Sequence, residues 1–107
     1  MALISLEEAK TYLRVDSADE DALIGSLLLS AGRLCADVAR LTDEEYAEVA
    51  ADPSGDDSTE LVSIRAAMKV AILYALGYLY EHRDEADHHD LVLTLRSLLF
   101  AVREGRG

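Results

Sequence analysis

Tryptophan is absent from this sequence, proline and cysteine each occur once, and basic residues are fewer than half as numerous as acidic ones. Each shortage excludes something. A single proline leaves long stretches unbroken, which fits a folded, helix-rich chain better than a disordered one. A lone cysteine, Cys35, cannot form an internal disulfide; it suits a reducing compartment, and its place in an apolar helical pattern predicts a core-packing role. Ten bases against 21 acids give a formal net charge of -11. Such a field repels nucleic-acid phosphates, so sequence-specific DNA binding is excluded.

Long apolar runs are also missing. Lys69 and Gly77 interrupt the longest one, so nothing reaches the roughly 18 apolar residues that a membrane span requires. The opening MALISLEEAK has no basic region ahead of an apolar one and does not read as a secretory signal, so the expected site of folding is the cytosol. At 107 residues the chain has room for one core, and residues 1–107 are expected to form a single domain.

What the sequence does contain is helical periodicity. Ser5-Leu6-Glu7-Glu8 is a capping box, in which a serine oxygen and a glutamate satisfy each other's orphan amides, and it predicts a first helix running to about Leu13. Ser17-Ala18-Asp19-Glu20 offers a second box and a second helix from there to about Leu41, with Leu23, Leu27, Ala31, Leu34 and Val38 at spacings of three and four. Thr42-Asp43-Glu44-Glu45 is a third box, predicting a brief helical turn to about Ala51. The breaker cluster from Asp52 to Ser58 then reads as an exposed loop.

The main helix is expected over about 58–83. Leu61, Ile64, Met68, Ile72, Ala75 and Leu79 form one apolar stripe, and Val62, Ala66, Val70, Leu73, Leu76 and Tyr80 form a second on neighbouring faces. Only Lys69 carries charge between Ala66 and Tyr80. A helix apolar on nearly every side must be covered on nearly every side. A last helix, about Asp90 to Arg103, turns Leu91, Leu95, Leu98, Leu99 and Val102 inward, and Arg103 and Arg106 complement its dipole. The fold class is therefore all-α, about four helices around a long central one.

Chemistry-bearing patterns are sparse. His82, His88 and His89 stand among Glu81, Asp84, Glu85, Asp87 and Asp90, yet adjacent helical residues point about 100° apart and cannot converge on one ion, so no metal is assigned. No nucleophile motif, phosphate loop or zinc-protease helix occurs, so no enzyme and no cofactor is expected. Tyr74, Tyr78 and Tyr80 combine large apolar area with a polar tip, which suits either a core rim or a protein interface. Four short helices cannot cover a two-striped central helix, and self-association follows.

Four segments carry a family likeness. Ile4 to Asp16 (ISLEEAKTYLRVD), Asp19 to Ile24 (DEDALI), Ala71 to Tyr74 with Tyr80 to Arg83 (AILY and YEHR), and Leu95 to Leu99 with Arg103 together resemble the head-tail connector (adaptor) family of long-tailed phages. That family commonly has asparagine where His82 stands. The likeness spans nearly the whole chain apart from the loop around Pro53.

The resemblance implies an all-α subunit of a ring of about a dozen copies, seated beneath the portal protein and above a tail-proximal stopper or completion protein. It places the protein at the head-tail junction of the virion, and in host cytoplasm during assembly. DNA would pass through without sequence-specific reading, and an acidic lumen would let it slide. The matching residues Leu13, Arg14, Val15, Asp16, Tyr80, Glu81, Arg83 and Arg103 join Tyr74 and Tyr78 as candidate interface positions, with the first four also expected to join the first two helices. The rival reading is an acidic helical regulator, antitoxin-like or mimicking nucleic acid, which predicts a monomer or dimer bound to a basic partner.

Overall fold

A computed structural model of the chain describes residues 3–82, 84 and 87–105, and no strand occurs among them. In chain order the helices are α1 (Leu6–Leu13), α2 (Asp21–Val38), α3 (Asp43–Ala50), α4 (Thr59–Glu81), α5 (His89–Leu98) and α6 (Phe100–Gly105). The all-α class holds, with α4 the longest element at 23 residues. Two stretches differ in detail from expectation. The brief turn after Thr42 is a full helix, α3, and the C-terminal helix is divided at Leu99 into α5 and α6.

Two of the three capping boxes form. Ser5 Oγ accepts the Glu8 N–H at 3.1 Å while Glu8 accepts the Ser5 N–H at 3.0 Å, a bond that holds the Glu8 carboxyl below its usual value, helped by Lys69. Thr42 and Glu45 do the same at 3.1 and 2.9 Å. The box expected at Ser17 does not. Helix α2 starts at Asp21, with Glu20 at the N-cap and no side-chain cap; the Ser17 hydroxyl accepts the Asp19 N–H at 3.4 Å, and the Glu20 carboxylate accepts the Tyr80 hydroxyl. Lys10 Nζ lies 2.8 Å from Asp21 and ties α1 to the first turn of α2.

Helices α2 and α4 form the principal pair, and α4 is also packed by α1, α3 and α5. The buried residues of α2 are mostly small, Ala31, Gly32, Cys35 and Ala36, whereas α4 buries larger side chains such as Met68, Ile72 and Leu76. Burying a side chain of that larger size stabilises by roughly 1.5–3 kcal/mol. Burial also pushes the Cys35 thiol up to about 12. Contrary to the expectation that no run is long and apolar enough, α4 passes the length and composition test for a membrane span, a test that a core helix passes as well. Its two cations nevertheless face carboxylates from other parts of the chain, Arg65 to Asp57 at 2.9 Å and Lys69 to Glu8 at 3.5 Å.

Helices α1 and α2 each stop at an arginine in the left-handed region, Arg14 and Arg40, both with φ 60°. Val15 N–H then reaches back to Lys10 O at 3.0 Å and Leu41 N–H to Ala36 O at 2.9 Å, the closing bond of a Schellman turn. Glycine usually holds this position, and a side chain there costs about 1 kcal/mol.

Candidate assembly surface

The two apolar stripes of α4 have different fates. Met68, Ile72, Ala75 and Leu79 of the first are buried. The second divides: Leu76 is buried and Leu73 and Tyr80 are half-buried, but Val62 remains 52% exposed, Val70 60% exposed, and Ala66 is exposed as well. With Tyr74, also exposed, these make a ridge at four-residue spacing about 18 Å long. Ala66 and Val70 are each two positions from Met68, about 200° round the helix, so the ridge points away from α2. It bears no charge, because Arg65 is buried and Lys69 turns aside to Glu8.

At its C-terminal end the ridge runs into a groove of about 610 Å³ between α4 and α1. Tyr12 from α1 lies across Gly77, where a Cβ would come within 3.2 Å of its ring, so glycine permits this close approach. Six of the residues expected from sequence, Leu13, Arg14, Tyr74, Tyr78, Tyr80 and Glu81, line that one groove. Val15 packs half-buried against the core instead, Asp16 is exposed, and Arg103 is half-buried on α6. Arg83 lies outside the described residues, as do Glu85 and Arg106.

The tyrosines differ in how far their own chain uses them. Tyr80 donates to Glu20, and Tyr78 stacks on His82 at 4.2 Å and meets His88 edge-on at 6.2 Å. His82 Nδ1 also sits 2.9 Å from the Tyr78 carbonyl. These two histidines thus pack the end of α4 against the approach to α5. Among the described residues no group of three or more His, Cys, Asp or Glu is placed to hold a metal ion. Arg14 makes no ion pair among the described residues, in a chain where acids outnumber bases two to one.

A second surface lies between α1, α2 and α3. A hollow of about 480 Å³ has Ile4, Leu28 and Ile72 among its lining, with Leu6 and Leu29 at its rim. Leu29 is 74% exposed. At Tyr46 and Ala50 it meets another hollow, of about 600 Å³, that continues past Ala47 and Ala51 to Asp43 and Asp52. Small residues open this trough. Nothing stands within 4 Å of the place a Cβ would take at Gly25, and at Gly32 that place is filled by the Tyr46 hydroxyl. Burial raises the Tyr46 hydroxyl above its ordinary value, and the Arg33 guanidinium sits 5.6 Å from the ring centre.

Arg65 was not legible as a structural residue, yet it sets the α3 wall of the trough. At 8% exposure it sends Nε to Val49 O at 2.9 Å and one NH group to Asp57 at 2.9 Å. The Glu48 carbonyl is a further acceptor at 3.5 Å. Arg65 therefore supplies a donor to the Val49 carbonyl at the end of α3, shares the Glu48 carbonyl with the Ala51 N–H, and pins the acidic loop at once. The Ser54 N–H and then the Arg65 guanidinium hold the Asp57 carboxyl below its usual value.

The all-helical frame thus carries an uncharged ridge on α4, a tyrosine-lined groove beside α1 and a trough opened by small residues. The sequence profile of the phage gp6-like head-tail connector proteins matches residues 3–104, and the chain belongs to that family. Its role is accordingly that of a structural connector between phage head and tail; the family is not a class of enzymes. The chain matches no curated protein and no solved structure.

Proposed function

We propose that the chain is one subunit of a closed ring at the head-tail junction, seated between the portal protein and a tail-proximal stopper or completion protein, with the genome passing through its channel. The observation that carries this reading is the uncovered face of α4. Val62, Ala66, Val70 and Tyr74 leave an apolar strip on the central helix that stays exposed among the described residues. Isolated monomers rarely leave such strips open, and sister copies supply the cover. The run from Leu41 to Ile64 contains eight acids and no base. Its Glu45, Glu48 and Glu60, which edge one hollow between α3 and α4, would keep DNA from adhering if turned toward the channel.

Sedimentation of the purified chain across a wide range of protein and salt concentrations tests this. Identical chains should associate at high concentration. Added salt should favour association, because it screens the repulsion between copies that each carry -11. A chain that remains monomeric throughout and fails to bind its matching portal protein would refute the ring.

A further inference from the structure

The geometry points to how one copy meets the next: the α4 ridge of one subunit seats in the α2–α3 trough of its neighbour. The inference rests on the ring reading and names its two mating faces.

A closed ring needs a heterologous contact, in which a surface meets a different surface, and these two faces differ in shape and position. The ridge is convex, and it points away from α2. The trough is concave and lies on the far flank of α2, against α1 and α3. Val62, Ala66 and Val70 follow the four-residue rows that form helix ridges. The trough is opened by Gly25 and by the alanines of α3, the small residues a groove needs if a helix is to enter it.

Charge matches as well. The ridge carries none, but Arg14 borders it through the Tyr74 groove and has no carboxylate partner among the described residues of its own chain. The far end of the trough is edged by Arg33, Asp43 and Asp52; Arg33 pairs with Asp43 at 3.2 Å, and Asp52 has no ion pair among the described residues. Two copies of an acidic protein therefore meet with Arg14 of one near Asp52 of the other. The ridge alone is smaller than the roughly 800 Å² per partner of a standard interface, so Tyr12 and Arg14 on its flank take part.

Two variants test this, each at an exposed position so that the fold is kept, and each lowering the net negative charge so that added repulsion is not the cause of any loss. Val70→Arg spoils the ridge and Leu29→Arg spoils the trough. Under conditions where the wild type assembles, each variant alone should sediment as a monomer with an unchanged melting curve. A mixture of the two should give a dimer of one copy each and nothing larger, because one intact ridge then faces one intact trough.

Separately, Val70→Cys in one copy and Ala47→Cys in another should join as a disulfide under mild oxidation, with buried Cys35 not competing. Wild-type assembly combined with normal assembly of either variant would overturn the pairing while leaving the ring intact. So would a Leu29→Arg variant that still forms rings beside a monomeric Val70→Arg, which would mean ridge against ridge. A wild type that never assembles would remove the ring itself.

Discussion

Replacing Arg65 by methionine keeps the apolar stem of the side chain and removes the guanidinium with all its donors. The bond to Val49 O is buried and charge-assisted, and its loss should destabilise the protein by about 2 kcal/mol. For a domain of this size that corresponds to a fall in melting temperature of about 10 °C. The loss should depend on pH. The Asp57 carboxyl is held below its ordinary value of 3.8, so its pairing with Arg65 contributes above that value and fades as pH falls through the lowered one.

The gap between wild type and Arg65→Met should therefore be constant from neutral pH down to about 5 and narrow below about 4. Thermal melts followed by circular dichroism at several pH values measure it directly. Because Arg65 also holds α3 against α4, the variant should assemble less well even where it is folded. Coincident melting curves at neutral pH, or a gap that widens in acid, would show that the clamp has been misread.

Gly25→Ala should stabilise the protein and Gly32→Ala should not. The first gains helix propensity in open space, about 1 kcal/mol; the second gains the same but must push the Tyr46 hydroxyl aside at a cost of about 1–3 kcal/mol, so it should be no more stable than wild type, and chemical denaturation of both variants checks this. The Cys35 thiol, buried and pushed up to about 12, should resist a thiol reagent at pH 8 in native protein and react at once in urea. Rapid labelling of the native state would contradict the packing described for α2.

Local chemistry was the readable part of this chain. The boxes at Ser5 and Thr42 lie within a single turn, and both formed as their residues predict. The one at Ser17 did not form because the helix begins three residues later, with Glu20 at its N-cap, where the Glu20 carboxylate also accepts the hydroxyl of Tyr80, sixty residues away, a contact no local pattern carries. The division at Leu99 was hidden for a related reason: Leu98 and Leu99 extend an apolar stripe whether or not the helix breaks between α5 and α6.

The candidate site was legible in its pieces and not in its arrangement. Leu13-Arg14 and Tyr80-Glu81 could each be marked from the family likeness, but that they line one groove depends on Gly77 letting Tyr12 approach α4. Arg65 was missed because a single cation within an apolar helix says nothing of its acceptors. Those are carbonyls 16 and 17 residues earlier in the chain. The trough likewise arises between helices, where spacing within any one of them gives no warning.

The seam of alanine, glycine and cysteine along α2 leaves nothing there to trim. At positions such as Ala31, Ala36 and the neighbouring Ala39, all fully buried, any replacement except glycine inserts atoms where two rods already touch. Across α4, at Met68 or Leu76, shrinkage is the commoner injury and leaves a hole. Saturating mutagenesis should thus find the two partners intolerant in opposite senses, one of bulk and the other of its loss.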